Sequence, residues 1–138
     1  MWGRRVIALA TVFDGPDKDG KRITQPLRSF EEPLLDFSGP MPYRVIQALY
    51  DGLFPKGRDR CYWKSTYLKG LDNGVIKNIT AYLAKRPSEM TYASIWKFGG
   101  PVQRIPADAT AFGDRSMPFL PSLDAIWTSP TDDQANMS

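Results

Sequence analysis

The stretch CYWKSTYLKGLDNGVIKNITAYLAKRPSEMTYASIWK, residues 61–97, decides the fold class. Its first eight residues are aromatic-rich and Thr-rich, a strand composition. Asp72 stands where a helix cap belongs, and Val75, Ile76, Ile79, Tyr82 and Leu83 recur behind it at helical spacing. That helix must stop before Pro87. Residues 90–97, MTYASIWK, return to strand composition and break at Gly99-Gly100.

Working outward toward the C-terminus, residues 102–105 read as a short resumed strand. A loop then runs through Ala111-Phe112-Gly113-Asp114-Arg115. Residues 119–127 read as the last strand, with Pro121 marking an edge or a bulge. The tail TSPTDDQANMS reads as the start of a helix. Toward the N-terminus, VIALATVF at 6–13 reads as a strand ending in the turn Asp14-Gly15-Pro16. Residues 17–30 suit a short helix despite Pro26, and residues 34–37 a short strand. Pro42 suits a helix start, followed by a stripe of Val45, Ile46, Leu49, Tyr50 and Leu53 that Pro55 and Gly57 end. Several strands alternate apolar and polar residues. The expected fold is α+β, a mainly antiparallel sheet covered by helices on one face, as a single domain over residues 1–138.

Composition excludes much chemistry. The 138 residues contain no histidine and one cysteine, Cys61. A Ser-His-Asp triad, His-ligated zinc, internal disulfides and iron–sulfur clusters are therefore absent. A single cysteine fits a reducing compartment, and a cytoplasmic location is expected. No apolar run approaches the roughly 18 residues of a membrane span. The start, MWGRRVIALATVF, lacks a small-residue cleavage site and reads as a strand rather than a signal peptide. Eighteen Lys and Arg against fifteen Asp and Glu leave a net charge of +3, spread along the chain. A nucleic-acid binder usually shows a basic stripe interleaved with aromatics, which this sequence lacks. Neither a nucleic-acid nor a membrane partner is expected. No phosphate-binding loop occurs, because Gly99-Gly100 stands alone and Gly15 and Gly20 flank an acidic stretch.

In a strand over Tyr62-Trp63-Lys64-Ser65, Tyr62 and Lys64 share one face and Trp63 and Ser65 the other. Trp63 is the better core residue, and Cys61 lies on its face. Tyr62 and Lys64 are then expected on the surface away from the helices, either solvated or lining a ligand cavity. Trp96, Phe98 and Trp127 suit core packing. Arg115 suits an anion or a surface pair with Asp114.

Read as text, PMPYRVIQALYDGLFPKGRDRCYWKSTYL from Pro40 to Leu68 resembles the substrate-domain segment of FAD-linked oxidases of the berberine-bridge-enzyme type, in the vanillyl-alcohol-oxidase-like superfamily of flavoproteins. The matching elements are Met41 to Tyr43, Gln47 and Tyr62-Trp63-Lys64-Ser65. WKFGGPVQRIPADATAFGDR, from Trp96 to Arg115, resembles the family's Gly-Gly hairpin and its following loop. Pro26-Leu27-Arg28 and the closing Trp127 before an acidic stretch also fit. The resemblance implies a substrate-binding domain lying over the flavin ring, with a small-molecule substrate. It implies FAD in the whole enzyme, held mainly by a separate N-terminal domain whose Gly-rich loop and covalent-attachment residue have no match here. No FAD is expected to be held by this chain alone, which is expected to be inactive without the cofactor half. In plant members a glutamate after the Gly-Gly pair acts as base. Here about that position stands Arg104, which stays protonated, beside Gln103. The family's usual histidine before the loop arginine is Asp114. The resemblance thus leaves the catalytic base unassigned and points to Tyr62, Lys64, Trp96 and Gln103 as pocket residues. The alternative is a non-enzymatic ligand-binding or assembly domain that uses the exposed sheet face, for instance to form a homodimer.

Overall fold

A computed structural model describes residues 5–138; the first four residues of the N-terminal stretch lie outside it. The chain divides into two compact units, Met1–Leu49 and Tyr50–Ser138.

In the first unit, α1 spans Asp17–Arg28 and α2 spans Tyr43–Gln47. Acidic Asp17 and Asp19 sit in the first turn of α1, where the helix dipole favours them, and pair with Lys21 and Arg22. Pro26 is accommodated in the last turn. Beyond it, Arg28 is bound to Asp36 at 2.7 Å. The strands expected at 6–13 and 34–37 are irregular, because a strand needs a partner ladder and neither segment has one. The helix expected from Pro42 to Leu53 is also shorter than its apolar stripe. It stops at Ala48, and a separate 3₁₀ turn, Asp51–Leu53, follows.

The second unit carries the sheet. Strands β1 (Arg60–Ser65), β2 (Tyr92–Lys97) and β3 (Phe119–Trp127) form an antiparallel sheet in the order β1-β3-β2. Helix α3 (Asn73–Ala84) links the two edge strands. Its Asp72 cap accepts from the Val75 N–H at 2.9 Å. Of its apolar stripe, Val75, Ile79, Tyr82 and Leu83 are half-buried while Ile76 is exposed. Helix α5 (Asp133–Met137) closes the C-terminus. The architecture is a small α+β fold with an open three-stranded antiparallel sheet.

The short strand expected at 102–105 is instead a one-turn helix, α4 (Pro101–Arg104). Gly100, at φ +53°, reverses the chain, and Pro101 then starts the helix where its missing N–H costs nothing. Pro121 corrects a second expectation, for it lies in the central strand rather than on an edge. Its carbonyl accepts from the Thr66 N–H at 3.2 Å, so its ring nitrogen also points toward β1. β1 ends at Ser65, one residue before that position, and pairing in the same register returns at Leu68↔Phe119. The proline thus costs one rung on one side and nothing against β2. The apolar core is concentrated in β3, where Ala125, Ile126 and Trp127 are 2–4% exposed.

Candidate functional site

The register sorts the sheet into two faces. Tyr62 lies opposite Ala125 and Lys64 opposite Leu123, and Ala93 and Ile95 of β2 share their face. This is the face under α3 and α5. Tyr62, Lys64 and Leu123 line a small cavity with Tyr82 of α3 and Asn136 of α5. Asp133 of α5 accepts from Arg60 at 2.6 Å and from the Trp127 indole at 2.7 Å. Those bonds, with the Trp127 indole as the second donor, hold the Asp133 carboxyl below its ordinary value, the Arg60 bond contributing most.

The expected facing of β1 is therefore reversed. Tyr62 and Lys64 point to the helices, and Trp63, 57% exposed, points away. Tyr62 and Lys64 can sit there because the Lys64 stem lies along the sheet and brings its ammonium to 5.2 Å from the Tyr62 ring. Cys61, on the Trp63 face, is exposed rather than a core residue. Partial desolvation of its sulfur, with Asp59 and Asp124 adding, pushes the thiol pKa up.

The face turned away from α3 and α5 has its own organisation and is covered in part, since Ile126 lies on it and the Phe54 ring stands 6.4 Å from that of Tyr92. Asp124 lies between Trp63 of β1 and Tyr92 of β2. The next row is Ser65, Ser122 and Ser94, followed by Leu120 beside Trp96. Asp124 is 4% exposed and accepts from the hydroxyls of Ser94, at 3.2 Å, and Ser122. The Trp96 indole donates to Ser94 at 3.3 Å, which ties it to the same network. Burial pushes the Tyr92 phenol pKa up, and the Asp124 charge adds to the shift. Among the described residues no Lys or Arg is ion-paired to Asp124. The result is a buried carboxylate solvated by hydroxyls under a rim of two exposed tryptophans, with Trp96 59% exposed.

The four pocket residues named from the sequence thus separate. Tyr62 and Lys64 lie on the helix-covered face, Trp96 on the open face, and Gln103 on α4. Asp124 was missed, though one signal marks it: it is the lone charge within the apolar strand FLPSLDAIW.

The loop after β2 is held by Arg115. It is 9% exposed, donates to the Val102 carbonyl at 2.9 Å and to Thr110, and stacks 4.7 Å over Phe112. The surface pair with Asp114 does not form, because Asp114 accepts from the Ser116 hydroxyl at 2.6 Å and from its N–H at 2.8 Å. The Ser116 bonds, with Lys69 contributing, hold the Asp114 carboxyl below its ordinary value, so that it is a charged acceptor at neutral pH. No group of three or more His, Cys, Asp or Glu among the described residues could hold a metal ion. No helix among them is long and apolar enough to cross a membrane.

No known family model matches the chain, and no curated protein matches it.

Proposed function

We propose that this chain is the substrate-domain part of an FAD-dependent oxidoreductase of the berberine-bridge-enzyme type, and that its open sheet face forms one wall of the substrate site. The observation that carries this reading is the face itself: Trp63 and Trp96, more than half exposed, stand around the Asp124–Ser94–Ser122 network, on the side of the sheet turned away from α3 and α5. Flat apolar rings with a few fixed polar groups are the surface an aromatic ring and a small substrate require. The sequence blocks at Pro40–Leu68 and Trp96–Arg115 support the same reading.

The residues described do not fit the whole cofactor. A dinucleotide pyrophosphate needs a glycine-rich cradle at a helix N-terminus. The single Gly99-Gly100 pair opens a four-residue helix and is faced by the Lys97, Gln103 and Arg104 side chains. No step of the redox reaction is therefore assigned to this chain. Its part is shape: the tryptophans bound the pocket, and the hydroxyl-solvated Asp124 accepts a polar substrate group or holds Ser94 and Ser122 in place.

Lumiflavin, which is an isoalloxazine without phosphates, tests this reading. Titrated into the full chain and followed by NMR, it is expected to shift the indole signals of Trp63 and Trp96 and leave that of Trp127 in place. FAD is expected to separate from the protein on gel filtration. Unmoved Trp63 and Trp96 signals overturn the reading.

The second reading, an assembly domain, rests on the same exposed tryptophans. It expects a dimer in sedimentation that Trp63→Ser with Trp96→Ser returns to monomer.

A further inference from the structure

Among the described residues β1 and β2 each pair only with β3, so the sheet ends on both sides in an edge that no strand covers. Such an edge presents N–H and C=O groups that another strand can take up. On β2 the register says which ones. The Phe98 N–H donates to the Pro118 carbonyl at 2.8 Å, one step beyond the Lys97↔Phe119 pair. Bonded and unbonded positions alternate along an antiparallel ladder, so Trp96, Ser94 and Tyr92 also direct their backbone groups at β3. Ala93, Ile95 and Lys97 direct theirs outward. Pro121 agrees with this assignment, since it lies opposite Ile95 and has no N–H to give. Among the described residues no backbone group bonds to those outward groups.

Natural edges are blunted by charge, proline or a bulge. β1 has Arg60 at its start and Lys64 within it. β2, YASIWK, has no proline, keeps unbroken register with β3 and carries no charge before its last residue, Lys97. Its outward groups are also symmetric, with Ile95 midway between Ala93 and Lys97. A second β2 laid antiparallel, Ile95 opposite Ile95, sets each Ala93 opposite a Lys97. Every outward N–H and C=O then meets its complement, and the two Lys97 ammoniums stand at opposite ends of the pairing. On one face Ile95, 46% exposed, meets its counterpart. On the other, Trp96 meets Ser94 of the second copy, and the two Trp96 rings are diagonal neighbours within reach of each other. The same construction on β1, centred on Trp63, would instead make the two Lys64 diagonal neighbours on one face, a repulsive arrangement.

We propose that β2 is a homodimerisation edge, at which two copies join antiparallel about Ile95 and their three-stranded sheets become one continuous sheet in the order β1-β3-β2-β2-β3-β1. The backbone edge makes this contact, so it stands apart from the flavin reading and from a dimer through the Trp63–Trp96 face.

Sedimentation of the full chain over a wide range of concentration, with amide hydrogen exchange read at both ends of it, tests the proposal. A monomer–dimer equilibrium is expected. The Ala93, Ile95 and Lys97 amides are expected to be protected at high concentration and to exchange freely on dilution, while those of Ser94 and Trp96 stay protected throughout. Ile95→Pro removes the central outward N–H and leaves the β3 ladder intact. It deletes the pair of bonds across the axis and is expected to weaken the dimer at least about tenfold. Trp63→Ser is expected to leave the dimer unchanged. A chain still monomeric at the highest concentration overturns the proposal, as do outward amides protected in the monomer, the mark of another segment of the same chain on the edge. A dimer that Ile95→Pro spares, or that Trp63→Ser disperses, overturns it too. The exchange measurement needs no variant, so it decides even if Ile95→Pro fails to fold.

Discussion

Replacing Ile126 by Ala tests whether β3 is the core of the Tyr50–Ser138 unit. Ile126 is 2% exposed and is the largest fully buried side chain among the described residues. The substitution removes three carbons, worth together about 2.4 kcal/mol at about 0.8 kcal/mol per buried carbon. The cavity left behind adds to this, so the expected loss lies between about 2 and 5 kcal/mol. Ile95, on the other sheet face and 46% exposed, supplies the control. The same three carbons there are only about half removed from water, so Ile95→Ala is expected to cost about 1.3 kcal/mol. Urea unfolding followed by tryptophan fluorescence reads the difference, since Trp63, Trp96 and Trp127 all lie in this unit. With a slope of about 2 kcal/mol per molar urea, the midpoint falls by about 1.2 M or more for Ile126→Ala and about 0.6 M for Ile95→Ala. Equal losses at the two sites, or a loss under about 1 kcal/mol at Ile126, would refute the placement of the core in β3.

Two further outcomes follow from the ends of the unit. Asp72→Ala removes the cap bond to the Val75 N–H and is expected to cost about 1 kcal/mol, while Asp72→Asn keeps the acceptor and most of the stability; equal losses in the two variants would refute the cap. The folded-state pKa of Asp133 is depressed, so its contribution is present above the unfolded value near 3.8 and is lost as pH falls through the folded value. Lowering the pH from 6 to 3 should therefore reduce the urea midpoint of the parent chain more than that of Asp133→Asn, and an identical pH dependence would show that the Arg60 and Trp127 bonds contribute nothing.

The parts of the fold legible in the sequence are those fixed by local chemistry. Asp72 caps α3 because a carboxylate there reaches the N–H of Val75, whatever the helix packs on. The third strand is legible because FLPSLDAIW is mostly apolar with one charge in nine residues and is bounded by turn-forming residues. What depends on a distant partner is not legible. VIALATVF has strand composition, yet nothing in its own residues supplies a ladder. Alternation in CYWKSTYL separates Tyr62 and Lys64 from Trp63, but it does not say which set the helices cover. That choice is made by α5, where Asp133 binds Arg60 and Trp127 and so draws the helix onto their face. Asp124 escapes notice for a related reason. Its hydroxyl partner on β2, Ser94, is thirty residues away in sequence and becomes a neighbour only through the register.

The same reversal explains why the open face reads as a surface for covering rather than a flaw in packing. A tryptophan side chain can bury on the order of 200 Å². Trp63 and Trp96 leave 57% and 59% of their surface in water. Each forgoes on the order of 3 kcal/mol of apolar burial. For the pair, that is comparable with the whole stability of a small domain, about 5–15 kcal/mol. Meanwhile, among the described residues, the buried apolar ones are Ala125, Ile126 and Trp127. A fold selected for its own stability would turn its tryptophans inward. This one holds Trp96 outward by an indole bond to Ser94, which is itself bound to Asp124. The ring is thus oriented by a buried polar network before any ligand arrives, so binding need not supply the cost of ordering it. A flat apolar partner seated on both rings would recover the forgone burial, which is why we propose the Trp63–Trp96 face, rather than the one under α3 and α5, as the wall of a substrate site.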